Sequence, residues 1–132
     1  MQPVRAYENP GFERKSLSGV PPEPFRNAAQ AWFWTMAALQ ARQEGGRRPG
    51  GSGVPRPCDP DDVVRCLDGL YRRKRIELAH ARVLRIWGEL GYPPDGHRAS
   101  ERTAARLWAE AMALLDWPLR VRGIVVAAAA AS

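Results

Sequence analysis

Two cysteines and two histidines are the residues of this chain that are best suited to binding a metal ion: Cys58, Cys66, His80 and His97. Structural zinc sites use thiolate and imidazole ligands, which follow one another in closely spaced pairs. Here successive candidates are eight, fourteen and seventeen residues apart, a spacing that matches no zinc finger or ribbon. Cys66 also falls within an amphipathic helical pattern, where a small buried thiol is the ordinary role. We therefore predict no metal site and no cofactor.

The acidic residues do not form a catalytic pattern. Asp59, Asp61 and Asp62 are close together, but they stand where a helix N-terminus needs hydrogen-bond acceptors and negative charge. The sequence contains no HExxH motif and no phosphate-binding loop that ends in Gly-Lys-Ser/Thr. It also lacks a Ser–His–acid order in a supporting context. We predict that the chain is not an enzyme and has no catalytic residues.

A run of four cations, RRKR at residues 72–75, ends the second predicted helix. Cations stabilise the negative C-terminal end of a helix, which explains part of the cluster. Arginine and lysine bind DNA phosphates, and arginine is also the usual reader of guanine in the major groove. The run joins two predicted helices, a layout typical of helix-turn-helix proteins, whose second helix enters that groove. A Gly/Pro/Arg loop at 44–57 could add a mobile arm along the phosphates. The predicted DNA contacts are Arg72, Arg73, Lys74, Arg75, Arg82, Arg85, Arg47 and Arg48.

The overall charge has two explanations. The net charge of +6 and the pI of about 10.1 favour a polyanionic partner. However, residues 1–57 carry +4, whereas residues 58–98 and 99–132 carry +1 each, so most of the excess lies outside the best-signalled helices. Nearly all of the cations are arginine, and the chain is rich in Ala, Gly and Pro, as expected from a GC-rich bacterial genome. The basic charge therefore reflects either nucleic-acid binding or codon bias.

Tryptophan supports a second hypothesis, a protein-interaction adaptor or accessory subunit. Five tryptophans in 132 residues is a high content, and tryptophan and arginine are enriched at protein interfaces. Trp34 lies off the apolar stripe of its helix, and Trp117 follows the last predicted helix. Either residue could anchor a partner protein, although burial against another element is the preferred interpretation for Trp34.

Four helices are expected to position these residues. Apolar residues recur at helical spacing between Pro24 and Gln43, and between Ala99 and the residue before Trp117. Between them, Asp59 and Pro60 begin a second helix, and Gly91 ends a third. The fold class is therefore mainly α, in one small domain with a helix-turn-helix-like hairpin at 59–91 and a short extended C-terminal segment. The domain spans 22–126 with a flexible loop at 44–57, between a disordered N-terminal tail at 1–21 and a C-terminal tail at 127–132.

The location and partners follow from the same patterns. No apolar run approaches the length of about 20 residues that a membrane span needs, and the first residues show no apolar signal region. We expect a cytoplasmic protein, with a homodimer as one option. The leading hypothesis is a small bacterial DNA-binding or DNA-associated regulatory protein. DNA binding predicts that Arg73 and Arg75 share a face with Arg82 and Arg85, whereas the adaptor hypothesis predicts an exposed patch around Trp34 or Trp117.

Overall fold

Four α-helices form the described part of the protein. The computed structural model describes residues 20–45 and 53–127, and within them the mainly α fold expected from the sequence is confirmed. The helices are α1 (Ala28–Gln43), α2 (Pro60–Arg72), α3 (Leu78–Leu90) and α4 (Arg102–Val121), and a turn of 3-10 helix at Ala99–Glu101 precedes α4.

The helices α1 and α4 form the centre of the domain. Each of them packs against all three other helices, whereas α2 and α3 make almost no contact with each other within the described residues. The helices α2 and α3 therefore flank the α1–α4 pair on either side, although they are consecutive in the chain. The shared core includes Val63 of α2, Leu84 of α3 and Leu115 of α4, all of them fully buried.

A glycine allows α1 and α3 to approach closely. A Cβ atom on Gly88 would lie only 2.7 Å from the Met36 Cγ and from the indole nitrogen of Trp32. The same indole N–H donates a hydrogen bond of 2.9 Å to the carbonyl of Leu84. Because a buried polar group needs a partner, this bond makes it possible for Trp32 to lie almost fully buried between the two helices.

The predicted start of α1 at Pro24 was wrong. The helix begins at Ala28, with the Asn27 side chain accepting a hydrogen bond of 2.8 Å from the N–H of Gln30. The reason lies at Phe25, whose N–H donates to the Ile124 carbonyl at 2.8 Å. The Phe25 carbonyl also accepts a hydrogen bond of 2.9 Å from the N–H of Val126, so it does not serve as the acceptor for a helical N–H four residues later.

The predicted end of the last helix before Trp117 was also wrong. The helix α4 continues through Pro118 to Val121, although proline removes one helical hydrogen bond, usually at a cost of about 3 kcal/mol. Continuation keeps Leu115 and Leu119 on the buried face, and both are fully buried. Burial of a leucine side chain stabilises by about 1.5–3 kcal/mol, which offsets the cost of the proline.

The short extended C-terminal segment is present, but it begins after α4 rather than at Trp117. Ile124 and Val125 are each 2% exposed. Val125 forms an isolated parallel β-bridge with Phe25, and the Val126 N–H donates to the Phe25 carbonyl at 2.9 Å. The guanidinium of Arg56 lies 4.2 Å from the centre of the Phe25 ring. Phe25 therefore joins three separate parts of the chain at one end of the bundle.

Two predicted boundaries agree with the structure. The helix α2 begins at Pro60, and the Asp62 carboxylate accepts a hydrogen bond of 2.8 Å from the N–H of Asp59. The helix α3 ends at Gly91, which has a φ of 90°. The predicted tails lie almost entirely outside the described residues, and so does the centre of the predicted loop at 44–57.

Candidate interaction surfaces

The corner that joins α2 to α3 is a tight backbone turn. The N–H of Lys74 donates to the Tyr71 carbonyl at 3.0 Å, and the N–H of Arg75 donates to the Leu70 carbonyl at 2.9 Å. This pattern is the Schellman motif, whose left-handed position is usually glycine. Here Lys74 takes that position with a φ of 60°. The buried Ile76 follows immediately and fastens the turn to the core.

Three consecutive cations at this turn lack an acidic partner among the residues that the structure describes. Arg72 forms an ion pair with Asp68 one helical turn earlier. Arg73, Lys74 and Arg75, hereafter the basic corner, are exposed and form no ion pair with any described residue. Other arginines are neutralised by nearby carboxylates: the pairs are Arg42–Asp61, Arg65–Asp62, Arg98–Asp95, Arg106–Glu110 and Arg120–Asp116.

The predicted DNA contacts do not all share one face. The guanidinium of Arg73 lies over Gly69, with its Nη1 atom 3.4 Å from the Cβ position of that residue. Arg85 instead lines a groove together with Val64 and Leu67 of α2. Helical periodicity puts Gly69 on the opposite face of α2 from Val64 and Leu67. The structure therefore does not bring Arg73 and Arg85 together, so the shared face that helix-turn-helix DNA binding predicts is absent for this pair.

The remaining predicted DNA contacts occupy other positions. Arg82 is exposed in the second turn of α3, and it has no ion-pair partner among the described residues. Arg47 and Arg48 lie outside the described residues, so their predicted role as a mobile arm stays a prediction. Of the cations proposed from the sequence, the basic corner and Arg82 are those close to the start of α3 that are exposed and form no ion pair with a described residue.

The two candidate tryptophans have different surroundings. Trp34 is half-buried, and its ring centroid lies 5.2 Å from that of Phe25, as expected for burial against another element. Trp117 is 70% exposed, and Val121, one turn later on the same face of α4, is 61% exposed. A shallow depression of about 410 Å³ lies between α4 and the start of α1, lined by Met112, Ala113 and Asp116 on the α4 side. The face with Trp117 is therefore the apolar surface next to this depression.

A histidine network near the basic corner was not anticipated from the sequence. His80 is 8% exposed, and its Nδ1 atom accepts a hydrogen bond of 3.0 Å from the N–H of Glu77 at the start of α3. Its Nε2 atom lies 2.9 Å from a carboxylate oxygen of Glu110 in α4. Because Nδ1 is an acceptor, Nε2 carries the proton and donates to Glu110. The only sequence signal was the position of His80 three residues after Glu77, where a capping side chain can bond back.

Hydrogen bonding sets the electrostatics of this network. The hydrogen bond from His80 lowers the pKa of Glu110, and Arg106, at 3.1 Å from the other carboxylate oxygen, lowers it further.

In α2, burial raises the pKa of the Cys66 thiol, so this thiol stays protonated and packs as an apolar side chain. Within residues 20–45 and 53–127, no group of three His, Cys, Asp or Glu side chains is arranged to hold a metal ion.

None of the helices in the described residues combines the length and the apolar character that crossing a membrane requires. Comparison with protein-family models, with curated proteins and with solved structures finds no match to this chain.

Proposed function

We propose that this chain is a small DNA-associated protein of the bacterial cytoplasm, with a regulatory role, that binds the phosphate backbone through its basic corner. One observation carries the proposal: three consecutive cations that form no ion pair with any described residue lie on a hydrogen-bonded turn, and Lys74 takes a backbone conformation that favours glycine. A non-glycine residue in such a conformation destabilises the folded state by roughly 1–3 kcal/mol, and such residues are concentrated at functional sites. The positive charge of lysine at position 74 is a functional reason for keeping a strained residue where glycine would be unstrained.

The arrangement of the helices favours phosphate contacts over the reading of bases. In helix-turn-helix proteins the first helix crosses the DNA backbone while the second lies in the major groove. Here α2 and α3 flank the α1–α4 pair and hardly touch each other in the described part of the chain. The corner itself is then the contact surface, and Arg82 extends it along α3. Contacts of this kind position a protein on DNA without selecting a sequence.

Salt dependence of binding to a random-sequence duplex tests the proposal. Four phosphate contacts, three from the basic corner and one from Arg82, predict that log K falls against log salt with a slope of about −3.6. Lys74→Gly removes one contact and also relieves the backbone strain, so it separates charge from folding. We expect this variant to bind more weakly with a slope flatter by about one unit, and Arg75→Gln to do the same.

Arg102→Gln is the matched control, because Arg102 is exposed at the start of α4 and has no ion-pair partner among the described residues. It removes the same charge far along the chain from the corner. If all three variants lower the slope equally, the binding is a property of net charge and the corner has no special role. Absence of binding by the wild-type chain at low salt would sink the proposal.

The exposed face of α4 favours a second candidate function, an adaptor or accessory subunit that binds a protein. Large aromatic side chains that are exposed next to aliphatic ones are typical anchors of interfaces. Trp117 and Val121 form such a surface beside a shallow depression. Chemical cross-linking in cells tests this function: a specific cross-linked protein should be lost with Trp117→Ser and kept with Lys74→Gly. The reverse result would assign that partner to the basic corner.

A further inference from the structure

His80 is bonded through both ring nitrogens in the first turn of α3. The residue is only 8% exposed, so its ring has little access to water. The Nδ1 atom lies 3.0 Å from the backbone nitrogen of Glu77, and the Nε2 atom lies 2.9 Å from a carboxylate oxygen of Glu110. Glu77 is the N-cap of α3 and comes two residues after the basic corner. The imidazole ring therefore joins the start of α3 to the middle of α4.

The two bonds of the ring respond in opposite ways to protonation. The backbone N–H of Glu77 can only donate, so its bond requires a lone pair on Nδ1, which the neutral imidazole has. The imidazolium ion carries a proton on both nitrogens and accepts no hydrogen bond. The bond from Nε2 to the carboxylate of Glu110 persists in both forms, and it is stronger when the ring is charged. Protonation of His80 therefore removes the bond to α3 and strengthens the bond to α4.

The charged groups around the ring come from α4 and from the chain that precedes α3. The helix α4 contributes Glu110, with the Arg106 guanidinium 3.1 Å from its second carboxylate oxygen. The preceding chain contributes the basic corner and the carboxylate of Glu77. The only charged residue of α1 is Arg42, which forms an ion pair with Asp61 of α2. The α1 side chains that line the groove beside α3 carry no charge: Trp32, Met36, Leu39, Gln40 and Gln43. The carboxylate of Glu110 is therefore the group that stabilises a charged ring.

We infer that His80 is a pH-sensitive latch on the start of α3. The neutral ring keeps the latch closed by accepting the bond from the Glu77 amide. When Nδ1 takes a proton from solvent, two N–H groups face each other, so the amide turns away and the first turn of α3 opens. The carboxylate of Glu77 can then accept the Nδ1 proton. Ile76, which is 2% exposed, limits the change to the chain that follows it. This inference is independent of the proposed association with DNA.

A pH titration of the full-length chain by NMR tests the inference. The nitrogen shifts of the His80 ring report its tautomer and its protonation, and hydrogen exchange in the same samples gives the protection factor of the Glu77 amide. The neutral ring should carry its proton on Nε2. As the ring becomes protonated, the Glu77 protection factor should fall about two- to tenfold, as expected for the loss of one hydrogen bond. Both changes should have the same midpoint. The Val126 amide, bonded to the Phe25 carbonyl, should not follow this titration.

Two asparagine variants separate the latch from general effects of acid. Asparagine places an oxygen close to the position of Nδ1 and does not titrate, so His80→Asn should protect the Glu77 amide equally on both sides of the wild-type midpoint. His97→Asn is the matched control, because His97 is the other histidine of the chain and its side chain is 99% exposed. This variant should keep the wild-type transition.

Several results would overturn the latch. The neutral ring of His80 could carry its proton on Nδ1, or the ring could stay neutral until the fold is lost. The Glu77 protection factor could remain constant while the ring titrates, or the transition could persist in His80→Asn or disappear in His97→Asn. If His80→Asn does not fold, the wild-type titration and the control at His97 decide the question.

Discussion

Two helices of this protein end in the same hydrogen-bonded turn with a different residue at its left-handed position. At the ends of α2 and α4, the two residues that follow the C-cap donate their N–H groups to carbonyls three and five residues earlier. The left-handed residue is Lys74 in the first turn, with a φ of 60°, and Gly123 in the second, with a φ of 76°. The local backbone problem is the same, and only one of the turns uses the residue that solves it without strain.

The presence of glycine in one turn and lysine in the other shows that the fold tolerates lysine at position 74 but does not require it. Glycine adopts a positive φ without steric cost, whereas another L-residue loses roughly 1–2 kcal/mol there. Glycine at position 74 would satisfy the same hydrogen bonds, so the fold does not require the lysine. The position adds a charge between Arg73 and Arg75. Strain together with clustered charge is what supports a functional role for this turn and not for the turn at Gly123.

The two turns are also fastened to the domain in different ways. After Gly123, the chain pairs its backbone with Phe25 and buries Ile124 and Val125. After Lys74, the chain enters α3, whose first turn is held by the side chain of His80 and, through it, by Glu110. The first attachment depends on backbone pairing and apolar burial, and the second includes a titratable carboxylate. This difference predicts separate responses to mutation and to pH.

Phe25→Ala should have the largest effect, and it should act on the turn at Gly123. Truncation of a fully buried phenylalanine costs about 3–5 kcal/mol of unfolding free energy, measured by urea denaturation. In hydrogen exchange, the Val126 amide should lose protection beyond the loss in the core helices, because its acceptor is the Phe25 carbonyl. The Arg75 amide should change only with global stability.

Trp117→Ala is the matched control for this prediction, since it truncates an exposed aromatic side chain. It should change the unfolding free energy by less than about 0.5 kcal/mol. If the variant at Phe25 does not fold, Phe25→Leu removes less volume and should cost about 1–2 kcal/mol. Equal loss of protection at Arg75 and Val126 would show that the two turns are not held independently.

Gly123→Ala should be the next largest change. No atom lies within 4 Å of a Cβ added at this position, so the cost comes from the backbone alone. A left-handed alanine loses roughly 1–2 kcal/mol, and the restricted unfolded chain recovers part of this. We expect a net loss of about 1 kcal/mol by urea denaturation. Gly69→Ala, inside α2 and beside the flexible Arg73 side chain, should instead raise the unfolding free energy by about 0.5–1 kcal/mol. Similar losses in both variants would show that the cost at position 123 does not come from its left-handed backbone.

Lys74→Gly should stabilise the protein. Relief of the left-handed backbone outweighs the greater freedom of glycine in the unfolded chain, and we expect a gain of up to about 1 kcal/mol. In thermal denaturation this corresponds to a rise in Tm of roughly 3–5 °C. Lys74→Ala removes the charge without relieving the backbone, so it should leave the Tm almost unchanged. A rise of the same size in both variants would mean that charge repulsion, not backbone strain, destabilises the turn.

Local signals predicted the parts of the fold that depend on local interactions. The start of α2 could be predicted because Asp59, Pro60 and Asp62 act within one turn, and the end of α3 because Gly91 acts alone. The end of α4 could not be predicted, since Pro118 is overridden by the burial of Leu119 against distant residues. Phe25 was assigned to a helix for the same reason, because its partners are about a hundred residues later in the sequence.

The candidate surfaces divide in the same way. The run of cations at 72–75 was visible in the sequence, but the left-handed backbone at Lys74 was not, because no glycine marks it. Helical periodicity placed Arg85 on a polar face. Its position in a groove depends on α2 and α3 lying on either side of α1, which consecutive apolar stripes do not determine. Two packed helices and two separated helices have the same stripes in their sequences.

Acid should loosen the turn at Lys74 more than the turn at Gly123, and this is the smallest effect that we predict. The pKa of Glu110 is lowered in the folded state, chiefly by the hydrogen bond from His80, so its ionised form contributes stability above the ordinary carboxyl pKa of about 4.3. That contribution is lost as the pH falls through the lower folded value. Hydrogen exchange at the Glu77 amide, followed from neutral pH into this range, should show weaker protection at acid pH. Glu110→Gln should reduce this dependence by the part that Glu110 contributes, while the Val126 amide, bonded only to backbone, should show the same profile in both proteins.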